Sequence, residues 1–164
     1  MQNRIYFEKF VSDDDFRYYL NLVSNEKVMV MNYGRVFTLE EANLIYKSML
    51  KNNEDYEGFG YFKVFEKATN AFIGSGAITI NNDFSEAEIE YMLMPDYWEK
   101  GYGSEIVREL LKKVEGAKGI YKVIAITDPD NLASKKILLN NGFKPYKVFE
   151  IADGSLAEMH RKEI

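Results

Sequence analysis

The stretch "EKGYGS", residues 99 to 104, constrains the fold of this chain more than any other. Before it, "AEIEYMLM" (87–94) reads as a strand. After it, "SEIVRELLKKV" (104–114) sets Ile106, Val107, Leu110, Leu111 and Val114 on one helical face. A strand that enters a helix through a short glycine loop leaves the first backbone N–H groups of the helix unpaired, at the positive end of its dipole. The loop is then either a capping turn that needs glycine for its geometry or a cradle for an anion. In the second case Gly101 and Gly103 allow close approach, and the amides of Lys100, Gly101, Tyr102, Gly103 and Ser104 are the donors. Neither common nucleotide pattern fits: GxxxxGK[ST] is absent, and Ile106 stands where the third glycine of a dinucleotide fingerprint belongs.

Around this loop the apolar period switches twice. A short strand near Ile5 to Phe10 precedes a predicted helix with Ser12 as N-cap and Asp15 at the capping-box position. Phe16, Tyr19, Leu20 and Val23 follow at helical spacing. Thr38 and Glu41 repeat the capping pattern before a second helix, with Leu44, Ile45, Met49 and Leu50 on its stripe. From Tyr61, "YFKVFEK", a turn at "ATN", "AFIGSGAITI" and "AEIEYMLM" read as an antiparallel meander. "IYKVIAIT" (120–127) is too apolar to alternate and suits a strand buried on both faces. Asn131 opens a further helix that Gly142 ends, and "KPYKVFEI" and "LAEMHRKEI" form a hairpin turning at "ADGS". The expected order is β-α-α-β-β-β-α-β-α-β-β, with residues 1–164 as one domain.

Composition bounds the function. A net charge of -5 and a pI near 5.1 give a surface that does not attract nucleic acid or anionic lipid. No run approaches the roughly 20 apolar residues of a membrane span, and "MQNRIYFEKF" lacks a signal peptide's apolar core, so a cytoplasmic chain is expected. The absence of cysteine removes thiolate nucleophiles and thiolate metal sites, and His160, the single histidine, cannot anchor an ordinary zinc site alone. His160 is expected in a structural or surface role. No metal is expected.

"AEIEYMLMPDYWEKGYGSEIVRELL" together with "AITDPDNLASKKILLNNGF" resembles the GNAT superfamily of acyl-CoA-dependent N-acetyltransferases, in particular its RimJ/RimL-like branch. The likeness is dense from about residue 86 to 143, and the order of elements extends it over the whole chain. It implies an α/β (α+β) fold with a central mixed, mostly antiparallel sheet flanked by helices. It also implies acetyl-CoA (coenzyme A) as acyl donor, with the pyrophosphate on the glycine loop and the pantetheine in a gap beside the backbone of Met92, Leu93 and Met94. Trp98 occupies the Q/R position of the family's Q/R-x-x-G-x-G/A motif, a departure that leaves backbone binding intact. The family's N-x-x-S and G-F pair fall on Asn131, Ser134, Gly142 and Phe143.

An amine attacks a thioester only as the free base, yet an alkylammonium has a pKa of roughly 10.4, so a proton acceptor is needed. Glu88 and Glu90 share one face of their strand, opposite Ile89 and Tyr91. The resemblance places the base on Glu88; Asp128 or a water are the other candidates. A backbone amide near Leu93 suits the developing oxyanion. The tyrosine that many relatives use as acid falls here on Leu138; the resemblance to the RimJ/RimL-like branch implies the Ser134 hydroxyl in its place for the departing thiolate, the alternative being a helix-start hydroxyl that binds backbone. Asn131 combines an N-cap with a contact to the pantetheine. Lys135 and Lys136 are open to a cofactor phosphate or to solvent, and Tyr33, Phe37, Tyr91 and Trp98 are candidates for an acceptor pocket.

The resemblance implies acetyl transfer to a small-molecule amine or a protein N-terminal amine by direct attack in a ternary complex. A catalytically inactive acyl-CoA-binding regulatory domain and a nucleotide-binding module are the alternatives. Dimerisation, common in that family, is left open by the sequence.

Overall fold

The computed structural model describes residues 3–164. Among these the order is β1 (Ile5–Lys9), α1 (Phe16–Val23), α2 (Glu26–Asn32), α3 (Leu39–Asp55), β2 (Gly60–Glu66), β3 (Phe72–Ile80), β4 (Glu86–Leu93), α4 (Tyr102–Glu115), β5 (Lys122–Thr127), α5 (Leu132–Asn140), β6 (Lys144–Glu150) and β7 (Leu156–Glu163). The strands form one sheet in the order β1-β2-β3-β4-β5-β7-β6. Every neighbouring pair is antiparallel except β4 and β5, which run parallel.

Helix α2 adds one element to the expected order. It has seven residues, too few for an apolar period to stand out, and it is set by Asn25, whose side chain accepts from Val28 N–H. The expected capping box at Ser12 does not form. Residues Asp13–Asp15 make a 3-10 turn instead, Ser12 makes no side-chain cap bond, and Asp15 turns back to accept from Val11 N–H at 3.0 Å and from Lys63 Nζ at 2.8 Å. Thr38 and Glu41 do form the reciprocal box, at 3.2 and 3.0 Å.

The two sheet faces carry separate cores. On one, α4 buries Ile106, Val107, Leu110, Leu111 and Val114 against β2 to β5, as its spacing predicts, and α5 joins through Leu138, with Phe143 following from the turn after it. On the other, α1, α2 and α3 pack around Phe10, Tyr19, Leu22 and Tyr46. Here the stripe of α3 is rotated from expectation. Ala42, Tyr46 and Met49 face inward, while Leu44 is exposed and Ile45 opens into a cleft. The aromatic ring of Tyr46 decides this by packing within 5.8 Å of Phe10 and 5.9 Å of Tyr19, a larger contact than a leucine offers.

His160 is fully buried rather than at the surface. Among the described residues neither ring nitrogen has a partner, and burial lowers its pKa, which keeps it neutral in a structural role. Strand β5 is buried at Val123, Ile124 and Ala125, but Ile126 opens into the cleft rather than being covered on both faces.

Candidate active site

The register of β4 creates the site. Only Glu86, Ala87 and Glu88 pair with Lys122, Val123 and Ile124 of β5; beyond them β4 continues along β3 to Leu93 while β5 continues along β7 to Thr127. The two strands therefore diverge. Alternation along β4 turns the N–H and C=O groups of even-numbered residues to β3, as in Met94 N–H to Ile73 O at 2.8 Å, and those of Tyr91 and Leu93 to the gap. Of Met92, Leu93 and Met94, only Leu93 thus offers its backbone to the gap. Its carbonyl accepts from Trp98 Nε1 at 2.7 Å. This bond gives Trp98 the work of fastening the glycine loop to β4, instead of a place in an acceptor pocket, and sequence alone carries no signal for it.

At one end of the gap the loop turns into α4. Gly101 adopts φ +85°, a left-handed conformation that a side chain would strain, and its Cα faces open space apart from Arg4. Among the described residues no amide from Lys100 to Ser104 donates to a protein acceptor; the first helical bond is Glu105 N–H to Gly101 O at 3.2 Å. Five successive N–H groups at the N-terminus of a 14-residue helix are thus left without a protein acceptor, an arrangement that suits an anion. Gly103 is different from expectation. It is buried, and a Cβ there would lie 2.9 Å from Ile137 Cδ1 and 3.4 Å from Tyr91 Oη, so it is glycine to let α5 and Tyr91 pack against α4.

Arg4 holds the loop in place. Its Nε and main-chain N–H donate to the buried Glu105 carboxylate at 2.9 and 2.8 Å, its Nη2 donates to Lys100 O at 3.0 Å, and its guanidinium lies 3.9 Å over the Tyr102 ring. The Tyr102 hydroxyl in turn donates to Glu66. We expect Arg4→Ala to weaken binding of coenzyme A about tenfold, the effect of losing one charge-assisted contact, as isothermal titration calorimetry would measure. Unchanged affinity would show that the loop keeps its shape without Arg4.

On the α1–α3 side of the sheet the gap widens into a cleft of about 590 Å³. Glu88 and Glu90 face it with Tyr19, Tyr33, Tyr61 and Phe37. Burial, with the neighbouring Glu88 charge, pushes the pKa of Glu90 up to about 7. By surface area Glu90 is exposed within the cleft and Glu88 is the more covered of the two, so the upward direction reflects the crowding of the cleft walls around the carboxyl, and water in the cleft screens its size. Glu88 is raised less, by burial and then Glu86. Burial and then the Glu90 charge raise the pKa values of Tyr19 and Tyr61, and the Glu90 charge and then burial raise that of Tyr33.

From the other wall come Asn131 and Ser134. Asn131 is the N-cap of α5 and accepts from Ser134 N–H at 3.2 Å; both residues line the cleft, as does Leu138. Asp128 also lines it, with Oδ1 accepting from Asp130 N–H. Lys135 is taken up by Glu158 at 2.8 Å, so it is not a free phosphate ligand, whereas Lys136 is exposed.

The model of the acetyltransferase (GNAT) domain matches residues 4–144. The chain belongs to the GNAT acetyltransferase family. It is an acetyl-CoA-dependent N-acetyltransferase. It is 25% identical over 137 residues to the uncharacterized N-acetyltransferase YoaA of Bacillus subtilis, a match covering 82% of this chain and 76% of that protein. Two solved structures share the GNAT fold. One is an acetyltransferase from Salmonella typhimurium that modifies the N-terminal serine of a 50S ribosomal subunit protein, with a TM-score of 0.82, 16% identity, and coverage of 99% of this chain and 96% of that one. The other is spermidine N-acetyltransferase from Vibrio cholerae in complex with CoA and spermine, with a TM-score of 0.79, 15% identity, and the same coverage. As in other GNAT structures, a seven-stranded, mostly antiparallel sheet lies between layers of helices.

Proposed function

We propose that this GNAT domain binds acetyl-CoA between β4 and β5 and passes the acetyl group directly to a primary amine held in the acidic cleft, both substrates being bound together. The single observation that carries this reading is the divergence of β4 from β5 after Glu88, which opens a slot beside a cleft lined by Glu90, Asn131 and Ser134. When bound, the thioester supplies an activated acetyl group. Lys100, Gly101 and Tyr102 through Ser104 hold phosphate by their amides, Leu93 N–H points at the slot where an oxyanion develops, and Ser134 faces the departing sulfur.

Glu90 is the general base. A carboxylate with a pKa near 7 is poised to take a proton at neutral pH, and that tuning favours Glu90 over Glu88, whose role is the charge that helps raise its neighbour. The choice reverses the family-based preference for Glu88. The acceptor enters as a cation. Glu88, Glu90, Asp128 and Asp153 line the cleft, against one guanidinium, Arg35, which already pairs with Glu41 at 2.6 Å. The tyrosine faces around Glu90 add a surface that attracts ammonium groups. Both a small-molecule amine and a protein N-terminal amine meet this description; spermidine and a ribosomal protein N-terminus are acceptors of the two structural neighbours.

The test is thiol release from acetyl-CoA across matched acceptors: an alkylamine, an α,ω-diamine of the same length and the corresponding ω-amino acid. We expect kcat/KM to fall in the order diamine, monoamine, amino acid. Preference for the amino acid would overturn the cationic acceptor, and no turnover with any amine, peptide N-termini included, would overturn the proposed transfer.

A further inference from the structure

The helix position at which many GNAT relatives carry an acidic tyrosine is Leu138 in α5, and it is buried. A phenol nevertheless reaches the slot from the opposite wall. Tyr91 of β4 points away from Glu88 and Glu90, towards α4 and α5, and its Oη lies 3.0 Å from Ser134 Oγ. Gly103 makes room for it: the missing side chain would have met Tyr91 Cε2 and Oη at 3.3 and 3.4 Å. The second glycine of the loop thus seats this hydroxyl pair.

Which hydroxyl donates follows from where the other proton would go. Among the described residues each oxygen has this one side-chain partner. Tyr91 lines the same cleft as Ser134, but its ring end is also packed at Gly103 and Ile137, so a Tyr91 proton turned away from Ser134 meets an apolar side on which no acceptor stands. If Tyr91 donates, the Ser134 proton is left in the cleft that Ser134 lines, where a ligand can accept it. The backbone of Ser134 is fixed as well, since its N–H is held by the Asn131 cap at 3.2 Å.

We propose that Tyr91 is the positioning residue for the leaving group: its Oη–H donates to Ser134 Oγ and so aims the Ser134 Oγ–H at the departing sulfur. The inference rests on the proposed acetyl transfer. In that transfer the entering ammonium first gives one proton to the Glu90 carboxylate, which passes it to solvent; the free amine then attacks, the C–N bond forms and the C–S bond breaks, the second nitrogen proton goes to Glu90, and the sulfur leaves with its electron pair. Ser134 stabilises that anion by hydrogen bonding, so Ser134 and Tyr91 both keep their protons, and Glu90 returns its proton to solvent. A Tyr–Ser pair drawn from two walls replaces a single tyrosine on the helix.

The decisive measurement needs no acceptor. The thiol of bound coenzyme A is titrated by its ultraviolet thiolate absorbance in the binary complex, where a chain without cysteine adds no thiol signal. A hydrogen bond donated to the thiolate lowers the thiol pKa, so wild type is expected to titrate below free coenzyme A. Tyr91→Phe, which keeps the ring against Gly103, and Ser134→Ala are both expected to return it towards the free value, and the double variant to go no further. In turnover, Tyr91→Phe is expected to lower kcat by about 10- to 100-fold, the loss of one hydrogen bond to a charged group, with KM for acetyl-CoA changed by less than about threefold. Calorimetric binding of coenzyme A and the thermal midpoint verify that each variant is folded and loaded. If the Tyr91→Phe thiol titrates as wild type, or if the two single effects add in the double variant, the pairing is refuted while the proposed transfer stands. A wild-type chain that does not bind coenzyme A overturns both.

Discussion

Replacing Glu90 by Gln is expected to lower kcat by about 10²- to 10⁴-fold at neutral pH, the range by which a positioned base accelerates proton transfer. In the wild type, at saturating acetyl-CoA, kcat is expected to rise with pH through about 7 as Glu90 ionises, and the variant should lose that limb. Stability should move the other way. The unfolded chain ionises this carboxyl near its ordinary value of 4.5, whereas the fold keeps it protonated up to about 7. Between those values the unfolded state releases its proton first, so rising pH costs the native protein stability. Glu90→Gln removes that cost: it should melt higher than wild type above pH 7 and no higher below the carboxylate range. A variant that loses stability and keeps its activity would place the base elsewhere, with Glu88→Gln the next substitution to make.

Lys63→Met is expected to cost about 3–5 kcal/mol in urea unfolding at pH 7, because it leaves the carboxylate of Asp15 buried without its cation. Lys63 and Asp15 are both buried and meet at 2.8 Å beneath α1, with Glu8 a more distant partner at 3.7 Å. Burial alone would raise the pKa of Asp15, but the hydrogen bond from Lys63 and those from the main chain at Val11 and Ser12 outweigh it and hold the value below normal. In wild type this contribution is present above the ordinary aspartate pKa and is lost as pH falls through the depressed one. In the variant the deficit should shrink on acidification, as Asp15 takes up a proton. Adding Asp15→Asn, which still accepts from Val11 N–H, should recover most of the loss. Two additive penalties would mean that the pair does not act as a unit.

Several elements were legible because their signals are local. The five apolar positions of α4, the Thr38 box, the Asn131 cap and the left-handed Gly142 all depend on neighbours within a turn or two. What escaped depends on residues far apart in the chain. Gly103 reads as a phosphate glycine until Tyr91 and Ile137 are seen filling the space above it. Strand parity places Glu88 and Glu90 on one face but cannot rank them; their difference comes from the desolvation of Glu90 by the cleft around it and the charge of Glu88 beside it, and the cleft's walls include Tyr19, Tyr61 and Tyr33 from α1, β2 and the segment after α2. That segment itself was unassigned, since α2 is too short to announce itself. In sequence Trp98 is a departure from a motif, whereas its indole N–H takes over a fastening task by reaching Leu93.

Because three residue pairs join β4 to β5, reinforced at that end by Lys122 and Glu86 at 3.4 Å, the sheet is a peg hinged at one end with its jaws apart. A ligand lodged in the jaws bridges two halves that the ladder does not tie, so its binding energy becomes resistance to their separation. At a concentration of 100 Kd that amounts to about 2.7 kcal/mol, and slower amide exchange should follow on the jaw-facing N–H groups of Tyr91 and Leu93. The donor would then act as a removable rivet, leaving the enzyme most pliable each time the product departs.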